Sequence, residues 1–164
     1  MFLWFISLAV LGVHSVFRDT ALDHRLIAVG ALLPDVVDGI VRRGSGPLHS
    51  VAGAVTLLIA TMIATIGRRQ LRKRLLAIPI GVFAHLVLDG AWANTDAFWW
   101  PFTGTGFAGR LPVVQRGLGV DALLETVGLF ALVYGYKRFG LARPARRRAF
   151  FRDGWLESTP RGQR

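Results

Sequence analysis

The stretch "GVFAHLVLDGAWANTDAFWWPF", residues 81–102, decides how the chain is read. Apart from His85 and Asp89, residues 81–92 are apolar or small, like a membrane helix. A histidine and an aspartate four positions apart share one face of such a helix. Ionisable groups in a membrane segment are costly, so they turn inward and pair. The question is what His85 and Asp89 face.

The composition sets the context. Of 164 residues, 52% are hydrophobic and 18% charged, with mean hydropathy +0.44. A soluble domain carries about 25% charged residues. There are no cysteines, which excludes disulfides, thiolate metal sites and cysteine nucleophiles. The net charge is +10, but the cations cluster in "RRQLRKR" (68–74) and from Lys137 onward, beside apolar blocks. That is the positive-inside pattern of a membrane protein rather than a nucleic-acid-binding face.

Working outward, the apolar blocks predict an all-α fold, an integral membrane bundle of about five helices. Four spans are clear: 1–17, 48–67, 75–92 and 118–136. The first block lacks the cationic start of a signal peptide. A fifth helix, 25–41, is expected to kink at Pro34. It either spans or re-enters. Thr20 and Asp23 fit a capping box before it. With all five crossing and the C-terminus cytoplasmic, 16 of the 20 Lys and Arg lie inside and 4 outside (Arg42, Arg43, Arg110 and Arg116). A re-entrant second block gives 14 and 6, so the count favours five spans. Residues 1–136 read as one transmembrane domain and 137–164 as a basic cytoplasmic tail, poorly ordered towards its end.

Helical rise gives depths. From the cytoplasmic ends, Asp35 lies roughly 15 Å up, Asp38 roughly 20 Å, His85 roughly 15 Å and Asp89 roughly 21 Å. Glu125 lies about 18 Å up, Asp121 about 24 Å and His49 about 27 Å. Four helices thus bring acids and histidines to the middle and outer half of the bilayer. His85 and Asp89 on one face suit a divalent cation, zinc above all, and Asp35, Asp38 and His49 can complete its shell.

Each residue also has a plainer reading. His85 with Asp89 can be a structural pair. Asp35 and Asp38 can serve a helix broken at Pro34. His49 and Ser50 can cap a helix, and Asp121 and Glu125 can be solvated. Trp99 and Trp100 read as an aromatic belt. His14 and His24 receive no role, and Arg110 and Arg116 only a weak one as phosphate contacts.

In order and approximate spacing, "LLPDVVD" (32–38), "GPLHS" (46–50), "AHLVLDG" (84–90) and "WWPF" (99–102) resemble the YdjM/YbcI-like bacterial inner-membrane proteins, a family of metal-dependent hydrolases. The resemblance covers roughly residues 25–102. It implies that Asp35, His49, His85 and Asp89 form the metal and catalytic set. Asp38 is offset by one from the family's second acid, and Glu125 or Asp121 fits an acid in the last helix. Gly44 stands where the family has a histidine, and the family's histidine near the N-terminus has no counterpart in the first block.

The expectation is therefore a membrane-bound metal-dependent hydrolase. A divalent ion, zinc for preference, sits at Asp35, His49, His85 and Asp89, with Asp38 or Glu125 as general base. A site in the outer half of the bilayer suggests a lipid or lipid-linked phosphate ester as substrate, with membrane lipids and no nucleic acid as partners. The rival expectation is a non-enzymatic bundle, a proton or ion relay or a scaffold with a buried His/Asp cluster.

Overall fold

A computed structural model describes residues 1–17, 22–42, 46–104 and 117–156. Every regular element among them is helical, so the chain is all-α. The α-helices, numbered over the described residues, are α1 (Phe2–Phe17), α2 (His24–Arg42), α3 (Val51–Ala64), α4 (Arg69–Leu75), α5 (Ala77–Leu88), α6 (Thr95–Phe98), α7 (Leu118–Arg138) and α8 (Pro144–Asp153). Short 3-10 turns precede α3 (Pro47–His49) and follow α5 (Ala91–Ala93).

The expected spans map onto helices of unequal length. Only α7, with 21 residues, is both long and apolar enough to cross a bilayer alone, among the described residues. The span expected at 75–92 is shorter. It is helical only from Ala77 to Leu88, because Asp89 ends the helix and Gly90 turns left-handed at φ 66°. Likewise 48–67 narrows to Val51–Ala64. Pro47 starts a turn, and Ser50 caps the helix by accepting the Gly53 N–H at 3.0 Å. The 25–41 block is one helix running through Pro34, so a re-entrant hairpin finds no turn there.

The centre of the fold is the crossing of α2 and α5. Gly30 and Gly81 meet there. A Cβ on Gly30 would overlap the Ile78 carbonyl, and one on Gly81 the Ile27 carbonyl. Small residues let two helix backbones touch, as in membrane helix pairs. α1 lies against α2, α5 and α7, and Gly128 of α7 admits the α1 backbone at Trp4. Ser7 donates to the Gly128 carbonyl at 2.9 Å across that contact. Phe5, Ala9, Ile27, Ala31 and Ala77 form one core cluster; Ala54, Val82, Leu86 and Ala91 form a second beside α3.

The chain beyond α7 returns to the body. α8 follows Arg143 and ends at Gly154, whose carbonyl accepts the backbone N–H of His24 at 3.0 Å. Thr20, Arg43, Gly44, Arg110, Arg116 and residues 157–164 lie outside the described residues.

Candidate metal centre

Three elements supply the centre. α2 contributes Asp35 and Asp38, the Pro47–His49 turn contributes His49, and α5 contributes His85. One ligand atom from each of Asp35, His49 and His85 lies within 4.8 Å of the others. His49 Nε2 is 3.4 Å and His85 Nε2 3.7 Å from Asp35 Oδ1. The histidine rings meet edge to face with centroids 5.3 Å apart.

The other nitrogen of each ring is fixed. His49 Nδ1 lies 2.7 Å from the Asp38 carboxylate, and His85 Nδ1 lies 2.7 Å from the Ala31 carbonyl. An acceptor at Nδ1 places the proton there and leaves Nε2 with a lone pair. Backbone makes both contacts possible. The Gly30–Gly81 crossing brings α5 against Ala31 of α2. Gly46 gives the turn room over Asp38, whose carboxylate a Cβ there would overlap. Phe5 stacks on His85 at 4.1 Å between centroids and closes that side with an apolar wall.

His49 and His85 are buried, whereas the Asp35 side chain keeps 18% of its surface. Asp35 Oδ1, His49 Nε2 and His85 Nε2 are all buried with no hydrogen-bond partner. Buried polar atoms in folded proteins are nearly always satisfied. With both rings protonated at Nδ1, the three atoms face one another as acceptors, a group that could hold a cation. Two imidazoles and one carboxylate are a donor set that suits zinc and other divalent metals, one donor short of tetrahedral coordination.

The remaining expected site residues divide. Asp38 is buried and engaged by His49 rather than turned into the three-atom group. Asp89 is fully buried at the end of α5 but lies outside the group. Glu125 accepts the Leu3 N–H at 3.0 Å and pairs with the Met1 α-amino group at 3.5 Å, on the first turn of α1. Asp121 sits in the first turn of α7.

A second polar centre, of which the sequence reading foresees only Asp23 as a cap, lies at the start of α2. Asp23 and His24 are buried. Asp23 binds Arg25 at 2.7 Å and Arg74 at 3.3 Å. His24 Nδ1 lies 3.1 Å from the Gly154 carbonyl, and its Nε2 lies 3.4 Å from His14 Nδ1. Arg25 also donates to the Phe151 carbonyl. Burial opposes the charge on Asp23, but its bonds from Arg25 and Arg74 hold the carboxyl below its usual range. The sequence reading places Asp23 only in a capping box with Thr20, which lies outside the described residues, and gives His14 and His24 no role.

No protein-family model matches the chain, and no curated protein or solved structure matches it.

Proposed function

We propose that the chain is an integral-membrane, metal-dependent hydrolase whose divalent ion is held by Asp35, His49 and His85. The observation that carries this reading is the convergence of three buried, unsatisfied acceptor atoms whose rings are oriented from behind. Asp38 then has a definite task. It holds the His49 ring and its tautomer, as a carboxylate behind a metal-ligating histidine does. The Ala31 carbonyl does the same for His85. An ion bound here would polarise the bond to be cleaved and acidify water at neutral pH. Asp35, the ligand with exposed surface, marks the side from which substrate and water arrive.

Membrane placement is supported by the outward surface. Only 11% of the apolar window of α7 is buried, and α3 turns Ile59, Met62 and Ile63 outward. Patches of that kind on a soluble monomer are rare. The cation pattern favours a cytoplasmic C-terminus in a bacterial inner membrane. The site then lies in the outer half of the bilayer, and a lipid or lipid-linked phosphate ester is the substrate class it can reach. A proton relay would string its groups across the bilayer instead of gathering three within 4.8 Å.

The test is elemental analysis of detergent-purified protein beside His85→Ala and His49→Ala variants. The expected result is roughly one divalent transition metal per chain, as a three-ligand catalytic site holds. Either variant should lose it. Folded protein that stays metal-free after zinc is supplied would sink the reading. His49 would then be a doubly protonated bridge between Asp35 and Asp38, and the cluster part of a scaffold.

A further inference from the structure

At the arginine-rich end of the molecule, away from the histidine cluster along α2, a second concavity opens. A cavity of about 330 Å³ lies between α1, the first turns of α2, the later half of α7 and the returning chain. Its wall includes Val10, Leu11, Leu132, Tyr136, Phe139 and Phe150. Ser7, His24 and Arg25 also border it, but each is already bonded within the protein, to Gly128, Gly154 and Asp23 respectively. The space therefore offers little to water or to a polar ligand, and an apolar chain suits it.

Two features specify that chain. Leu132 and Tyr136 line the cavity yet remain 41% and 42% exposed, so it opens sideways on the face of α7. α7 is the helix able to cross a bilayer, so the mouth faces lipid in the proposed membrane placement. The chain segment that forms the floor is also strongly cationic. Lys137 and Arg138 end α7, and Arg143, Arg146, Arg147, Arg148 and Arg152 follow, against a single acid, Asp153, which pairs with Arg152. Those cations flank in sequence the residues Phe139, Leu141 and Phe150 that line the slot, and an apolar slot beside a cationic segment matches an amphiphile with an anionic head. We infer that this cavity holds an acyl chain of an anionic phospholipid whose phosphate lies among the arginines of α8. The inference rests on the membrane placement but not on the metal centre.

The experiment uses the full chain, recovered from the membrane fraction in detergent. Native mass spectrometry follows titration with phosphatidylglycerol and, separately, with phosphatidylcholine of the same acyl chains. Phosphatidylglycerol should bind at about tenfold lower concentration or better, since each cation near a phosphate contributes roughly fivefold. Ala131→Phe, which fills the cavity, should lower its occupancy about tenfold. Arg147→Glu with Arg148→Glu, both at exposed positions, should erase the preference between the two lipids. Equal binding of both lipids by the native chain would overturn the inference. So would a preference untouched by the arginine changes, which decides the matter even if Ala131→Phe fails to fold. Recovery of the chain in the soluble fraction would overturn the membrane placement itself. A membrane-bound chain without lipid preference would overturn the lipid site alone.

Discussion

α2 carries a buried histidine–carboxylate centre near each end, and the two differ in what they leave over. At the start, Asp23 is surrounded by Arg25 and Arg74, and His24 is tied to Gly154 and faces His14. Charges and hydrogen bonds there close among themselves. Towards the other end, Asp38 and the Ala31 carbonyl consume one side of each histidine, while Asp35 Oδ1 and the two Nε2 atoms point at one another without a hydrogen bond. Both places bury a histidine and a carboxylate, Asp23 with His24 and Asp38 with His49. The difference lies in the donors: the first centre supplies its own guanidinium groups, whereas the ring N–H donors of the second are spent on Asp38 and Ala31, leaving acceptors at its middle. A buried His/Asp pair therefore says little about function, whereas a surplus of acceptors aimed at one point calls for a cation from outside.

Three measurements sharpen or break this contrast. The largest effect is expected at the closed centre. Gly154 has φ 74°, and a side chain there would overlap the Asp23 carboxylate. Gly154→Val should cost about 3 kcal/mol or more and lower the thermal midpoint by roughly 6–12 °C. Metal content of the protein that remains folded should not change; metal lost together with this latch, the Asp23–His24–Gly154 closure, would show that the two centres are one unit.

At the open centre, Asp38→Asn should weaken metal affinity about 10–100-fold, as loss of a carboxylate behind a ligating histidine does. Competition with a chelator measures it. Unaltered affinity would remove Asp38 from its orienting role.

The smallest effect is the acid response of Asp23. Its folded pKa lies below the unfolded value of about 3.9, so its stabilisation is complete above that value. It is lost as pH falls through the folded pKa. Asp23→Asn should cost about 1–2 kcal/mol at neutral pH and flatten the stability profile below about pH 4. Denaturant titrations across that range test both. A variant with the native profile would mean that Arg25 and Arg74 add nothing to the latch.

Much of the candidate centre was legible in the sequence, for a simple reason. Asp35, His49 and His85 are polar residues in apolar blocks, and helical rise alone brings Asp35 and His85 to the same depth of roughly 15 Å, although it sets His49 higher, at about 27 Å. Depth cannot give direction, however. Asp89 shares a helix face with His85 by count, yet α5 ends there and its carboxylate lies outside the three-atom group. Glu125 of α7 has suitable depth but is engaged by the Leu3 N–H in the first turn of α1. Asp38 looked like a base because its partner across the turn depends on Gly46, whose role is spatial rather than chemical. The latch was less legible still. It joins His24 to Gly154, 130 residues apart, through a backbone carbonyl that carries no residue identity.

The Gly30–Gly81 crossing has one more consequence. Two helices whose backbones already touch cannot be drawn closer by an ion bound between them. Asp35 rides on one and His85 on the other, so the contact acts as a mechanical stop. For an ion held there, it would set the minimum width of the jaws and leave the His49 turn to take up the difference. Size discrimination among ions would then be written in the thickness of two peptide planes, at positions that carry no ligand at all.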